Sequence, residues 1–155
     1  MKPSKVENYI EIAEVVAKRS PDEETQVGAV LVHRESGAIL ATGFNGFAKN
    51  AQDAELPTTR PLKYDFFIHA EQNLIANCVQ HSVSTKDCVL ICTHSPCKTC
   101  MRLIFNCGIS LVVVKNLYKD FELLKEMKDI SIEVTTDEHG FYIIKYKTKD
   151  PTPWI

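Results

Sequence analysis

The chain has 155 residues, of which 45% are apolar and 25% charged, and a formal net charge of −2. The length suits one domain over residues 1–155 that buries a core without covalent staples, and the composition excludes a disordered chain. There is no broad basic field, so a nucleic-acid partner is not expected; a small anion needs only a few local cations. No apolar stretch follows Met1, Lys2 and Pro3, and no run approaches membrane-spanning length, so no membrane association is expected and the compartment expected is the cytoplasm. In that reducing setting, clustered cysteines among the 6 present read as metal-binding or catalytic.

Ser4 is placed to cap a first helix, in which Tyr9, Ile12, Ala13 and Val16 recur at helical spacing, and Ser20-Pro21-Asp22 ends it. Val27 to Val32 and Ala38 to Gly43 read as a hairpin around Glu35-Ser36-Gly37. Residues 44 to 67 carry Asn45-Gly46, Pro57 and Pro61, and so read as a long irregular segment of the kind that is usually functional. A helix is expected over 69–80, with Leu74, Ile75 and Val79 on its apolar side, then a buried strand from Cys88 to Cys92. A helix from Lys98 to Asn106, a strand from Leu111 to Lys115 and a helix from Asp120 to Lys128 follow. Ile132 to Val134 and Phe141 to Tyr146 read as strands around a turn at Asp137 to Gly140. Strands alternating with helices in the second half imply a parallel sheet with right-handed crossovers. The sum is an α/β sandwich with a hairpin at its start.

Two motifs carry the chemistry. His69-Ala70-Glu71 opens one expected helix, and Pro96-Cys97-Lys98-Thr99-Cys100 opens another. A His-x-Glu followed by Pro-Cys-x-x-Cys is the signature of zinc deaminases. Cys97 and Cys100 lie one helical turn apart, so both sulfurs can face one point, and His69 supplies a third ligand. Three protein ligands with an open position are the catalytic pattern, and helix N-termini stabilise thiolates. Zinc in such a site makes a nucleophile of water near neutral pH. Glu71, from the first turn of the same helix as His69, can reach that pocket and serve as the acid and base that deamination needs. Two blander readings compete. In one, the zinc is purely structural and takes a fourth ligand, with His94 the nearest candidate; in the other, Cys97 and Cys100 are a redox pair.

The residues around these motifs resemble the deoxycytidylate (dCMP) deaminases of the cytidine deaminase superfamily, over about residues 5 to 135. The similarity rests on His69-Ala70-Glu71-Gln72-Asn73, on Thr93 to Cys100 and on Cys107-Gly108-Ile109. It also includes Gln26 to Val30, Gly43-Phe44-Asn45-Gly46 and Arg60 to Tyr64. The resemblance implies a three-layer α/β/α fold whose mixed five-stranded sheet has the order 2-1-3-4-5. It implies hydrolytic deamination of dCMP to dUMP, which supplies thymidylate synthesis. It assigns Zn2+ to His69, Cys97 and Cys100, and proton transfer to Glu71. Asn45 would hydrogen-bond the sugar, the Ala70 N–H would hold the pyrimidine carbonyl, and the Ser95 carbonyl would receive the leaving amine. Members are usually homo-oligomers, often hexamers, and many respond to dCTP and dTTP with Mg2+. Position 72 is Gln where many relatives have Arg, and residues 47–50 depart from the effector-binding pattern of regulated members.

Arg60, Lys63, Tyr118 and Lys119 are the candidates for the phosphate, each otherwise a solvated surface residue. Tyr118 stands out because it follows the strand from Leu111, where α/β sheets bind ligands. His33, His81 and His139 read as surface histidines, and Cys78, Cys88, Cys92 and Cys107 as small core residues. The competing functions are a tRNA adenosine deaminase, a free cytidine, deoxycytidine or dCTP deaminase, and a non-catalytic zinc domain that binds a nucleotide. A tRNA enzyme calls for a basic face, and a non-catalytic domain has no use for Glu71.

Overall fold

The strand at Gly28–His33 (β1) buries both faces: Ala29 and Leu31 point to one side of the sheet, Val30 and Val32 to the other. Such strands need helices on both sides, and the computed structural model, which describes residues 4–118 and 120–146, supplies them. In chain order come α1 (Lys5–Ala17), β1, β2 (Ile39–Phe44), α2 (Ala70–Gln80), β3 (Cys88–His94) and α3 (Lys98–Asn106). Then follow β4 (Leu111–Asn116), α4 (Glu122–Lys125), β5 (Ile132–Thr136) and β6 (Tyr142–Tyr146). Ile10 and Ala13 of α1 pack on Val30, Val32, Ile91 and Val113. On the opposite face, α2 and α3 pack Leu74, Cys78, Met101 and Ile104 against Leu31, Leu90, Val112 and Ile144. The period-2 alternation of the strands thus produces the expected three-layer α/β/α arrangement. Ser4 caps α1 as expected, in a reciprocal pair with Glu7. Among the described residues no helix is long and apolar enough to cross a membrane.

The sheet departs from expectation at one edge. Among the described residues it has 6 strands in the order β2-β1-β3-β4-β6-β5, not five in the order 2-1-3-4-5. The first four positions agree. The last two strands form an antiparallel hairpin whose second strand, β6, pairs with β4. The reason is burial: Ile143 and Ile144 of β6 pack on opposite faces of the sheet, while β5 offers Ile132 and Val134 to one face only. A strand apolar on both faces takes the inner place. The parallel sheet expected for the second half therefore reduces to one parallel pair, β3 with β4, joined through α3. The helix expected over 120–128 is also shorter. Around α4 the bonds run from Leu124 N–H to Phe121 O and from Met127 N–H to Leu124 O. Phe121, Leu124 and Met127 are buried at three-residue spacing, along one side of this short helix and its flanking turns.

Strand direction decides where function can sit. β1 runs antiparallel to β2 and β3, and β3 runs parallel to β4. The start of β1 and the ends of β2, β3 and β4 therefore share one edge of the sheet, with Gly28 opposite Phe44 and His94 opposite Asn116. The irregular segment after β2 contains two short 3₁₀ turns, Asp53–Glu55 and Leu62–Asp65, and delivers the chain to α2. That helix lies directly on β2. A Cβ at Gly43 would meet the Ala70 carbonyl oxygen and the Leu74 nitrogen, both at 2.5 Å. Asn73 and Asn77 donate from α2 to the Phe44 and Thr42 carbonyls, both at 2.8 Å. Gly43→Ala should therefore push the start of α2 off the sheet and cost about 1–3 kcal/mol, the usual range for overpacking. Denaturant unfolding checks this; an unchanged midpoint would contradict so close a contact.

Candidate active site

Both chemical motifs start helices at the shared sheet edge. Ile68 and Gly46 exchange backbone hydrogen bonds of 2.7 and 3.0 Å, tying the approach to α2 onto the end of β2. His69 is the N-cap of α2, with extended backbone, and its N–H donates to Gln72 Oε1 at 3.0 Å. Gln72 thus acts as a local brace at the start of the helix. Cys97 is the N-cap of α3, again extended. His69 Nδ1 lies 3.6 Å from Cys97 Sγ and 3.3 Å from Cys100 Sγ, and all three donor atoms lie within 4.8 Å of one another. Bonds of about 2.3 Å to sulfur and 2.0 Å to nitrogen set tetrahedral zinc donors about 3.5–3.8 Å apart. The donor set fits zinc as it stands.

The protonation of the triad points the same way. The hydrogen bond with Cys100 holds the Cys97 thiol down at about 4, against the effect of burial, and His69 adds to it. Cys100, which keeps the shared proton, is pushed up, first by that same bond and then by burial. The contact with Cys97 raises His69. Three groups that share protons at such short range are groups that a cation can take over. His69 and Cys97 are exposed to the cleft while Cys100 is buried behind them, so the triad is open on the cleft side. No disulfide joins Cys97 and Cys100. His94 is not part of the cluster: its ring stacks on Tyr118, with centroids 5.2 Å apart. A four-ligand structural site through His94 is therefore not formed.

The cleft beside the triad has a volume of about 570 Å³. Asn45, Ala70, Glu71, Ser95 and Tyr118 all line it, as do Arg60 and Lys63; Lys119 lies outside the described residues. Glu71 is only 4% exposed, and burial pushes its carboxyl up against the pull of its own N–H and of His69. Ala70, the first residue of α2, offers one of the N–H groups that have no partner within the helix. The Ser95 hydroxyl accepts from the Tyr118 N–H at 2.9 Å and so locks the end of β3 to the end of β4. Burial, and then the nearby Glu71, push the Tyr118 hydroxyl up to about 12, which keeps it a hydrogen-bond donor.

Two of the three expected phosphate cations, Lys63 and Arg60, are already engaged. Lys63 is 3% exposed and bonds Asp22 Oδ2 at 2.7 Å, with Glu24 at 3.5 Å. Arg60 pairs with Glu24 at 3.0 Å and donates to the Tyr64 hydroxyl at 2.7 Å. Lys98 also lines the cleft and has no acidic partner among the described residues. Sequence reasoning missed it, although its place inside the Cys97–Cys100 spacing was a signal. Asp22 was missed as well, because it reads there only as the end of α1.

Comparison with known proteins agrees with this geometry. Residues 3–116 match the family described as the cytidine and deoxycytidylate deaminase zinc-binding region. The chain is 29% identical to mouse deoxycytidylate deaminase, over 95% of this chain and 88% of that one. It is 34% identical to the human deoxycytidylate deaminase over 69% of this chain, and there it spans 62% of the relative's length. Among solved structures it is similar to the dCMP deaminase of cyanophage S-TIM5 in complex with dCMP and dUMP. That match has a TM-score of 0.68 and 34% identity, and covers 81% of this chain and 93% of the phage chain. A bifunctional deaminase/reductase from Thermotoga maritima shares the fold at 23% identity and a TM-score of 0.57. With its zinc donors gathered at the start of α2 and α3, the chain belongs to the cytidine and deoxycytidylate deaminase family.

Proposed function

We propose that this protein deaminates dCMP to dUMP with release of ammonia. The observation that carries the reading is the buried carboxylate of Glu71 beside an open His69–Cys97–Cys100 triad at the wall of a nucleotide-sized cleft. The similarity to an enzyme solved with dCMP and dUMP supports the choice of substrate. Zinc, held by His69, Cys97 and Cys100, supplies the Lewis acidity that makes water a nucleophile at neutral pH.

This chain's own residues do the rest. Deamination joins a water oxygen to C4 of the pyrimidine and breaks the C4–N bond. Glu71 takes a proton from that water, delivers it to the ring nitrogen and passes a proton to the departing amine. The Ala70 N–H holds the pyrimidine carbonyl, and the Ser95 carbonyl accepts from the amine. Asn45 accepts from a sugar hydroxyl. The Tyr118 hydroxyl and the Lys98 ammonium are the donors best placed for a phosphate, since Arg60 and Lys63 are neutralised by Glu24 and Asp22. Assembly into a homo-oligomer, with response to dCTP and dTTP, belongs to the same proposal; it is supported by the family resemblance and by apolar side chains such as Val15 and Val79, 61% and 77% exposed.

Three outcomes are expected. The purified protein should carry one zinc per chain by metal analysis, and Cys97→Ala or Cys100→Ala should lose it; full occupancy in either variant would assign the metal to other residues. Glu71→Gln should keep the fold and the zinc but lower kcat on dCMP by at least about 10⁴-fold, since one general acid–base group contributes about 10²–10⁴ and Glu71 serves more than one transfer. Near-normal turnover by the zinc-loaded variant would remove the mechanism. Lys98→Ala should raise KM for dCMP roughly tenfold or more, as expected for a lost charged hydrogen bond. Deoxycytidine should be little affected, and equal losses on both substrates would place the phosphate elsewhere.

A further inference from the structure

Asp22 lies in the turn after α1, 6% exposed, and its carboxylate accepts four hydrogen bonds. Oδ1 takes the backbone N–H groups of Glu24 at 2.8 Å and Thr25 at 3.0 Å. Oδ2 takes Lys63 Nζ at 2.7 Å and Asn45 Nδ2 at 3.2 Å. Burial opposes the charge, but Lys63 and the two backbone donors more than offset it, so the carboxyl is held below its ordinary range.

Asn45 is correspondingly constrained. The second hydrogen on its Nδ2 goes to the Thr25 carbonyl at 2.9 Å, and its Oδ1 accepts from the Val27 N–H at 2.8 Å. Both donor positions are spent, and one lone pair on Oδ1 remains. The amide cannot reverse. Reversal would set Nδ2 against the Val27 N–H and Oδ1 against two acceptors.

We infer that Asp22 is a positioning residue of the active site, whose carboxylate fixes the amide of Asn45 so that only an acceptor is available to a substrate hydroxyl. This role rests on the sugar contact proposed for Asn45. It also demands a carboxylate rather than any polar group. An asparagine at position 22 would present N–H either to the backbone N–H pair or to the donors of Lys63 and Asn45. Either arrangement leaves donor facing donor, and the second takes from the Asn45 amide the acceptor that holds its direction. The contact is made in the ground state and persists in the transition state, so its loss falls on KM and not on kcat.

The test is a double-mutant cycle of Asp22→Asn and Asn45→Ala, with steady-state kinetics on dCMP and zinc analysis of each variant. Asp22→Asn should raise KM about 3–10-fold, the effect of one hydrogen bond, with kcat and zinc content near those of the parent. The double variant should be no worse than Asn45→Ala alone, because both changes remove the same contact. Additive losses, or a fall in kcat with KM unchanged, would overturn the positioning role. So would a normal KM in Asp22→Asn when Asn45→Ala is impaired. A normal KM in Asn45→Ala removes the sugar contact itself, and this role with it. Because Asp22→Asn strands a buried ammonium, the same cycle is also run with Lys63→Met as the reference chain. There, adding Asp22→Asn should again raise KM and again add nothing to Asn45→Ala; any other result counts against the role.

Discussion

The close seating of α2 on β2 is the constraint on which the rest of this site depends. A helix normally stands off a sheet by the thickness of its side chains. Here Gly43 contributes none, and the helix backbone comes down to the strand. Asn73 and Asn77 then bond the strand carbonyls and fix the helix along β2. These contacts set the height and register of the first turn of α2, and with them the donor atom of His69, the Ala70 N–H and the Glu71 carboxylate. The same glycine that weakens a strand locally is what lets a catalytic helix start within reach of the Cys97–Cys100 turn.

Electrostatics in the cleft follows from pairing rather than from net charge. Lys63 and Asp22 are both nearly inaccessible to solvent and meet in a direct ion pair. Glu24 answers Arg60 at the more exposed end of the same group. These four residues tie the turn after α1 to the segment before α2, two stretches that no regular secondary structure connects. Their charges contribute to shape more than to attraction. Lys98, by contrast, lines the same cleft with no acidic partner among the described residues.

Much of this was legible in the sequence, for reasons that can be named. The elements up to β4 were readable because their apolar residues keep period 2 or 3.6, and because Ser4 is a sound cap. The triad was readable because its ligands lie in two short motifs whose spacing is itself the chemistry. The last hairpin was read as two strands, but its place in the sheet was not, because the order of β5 and β6 depends on which of them can bury both faces. The helix after β4 was readable, but not its short extent, Glu122–Lys125, because apolar residues at Phe121, Leu124 and Met127 keep a helix-like spacing beyond it. Asp22 was invisible for a different reason: its partners Asn45 and Lys63 are 23 and 41 residues away in the chain, and no local pattern encodes such a meeting.

The triad has a consequence for the chain as a polymer. His69 and Cys97 are separated by 28 residues, a span that contains all of α2 and β3. A cation bound between them closes that span into a ring, as a disulfide would, but through bonds that exchange and that depend on pH and on competing chelators. Closing a ring of that size removes freedom from the unfolded chain, so part of the grip on the ion is also grip on the fold. The surrounding cysteines stay out of this linkage: Cys78, Cys88 and Cys92 are buried and uncharged. The tie is thus single and reversible, and it sits at the point where the two helices that carry the chemistry begin.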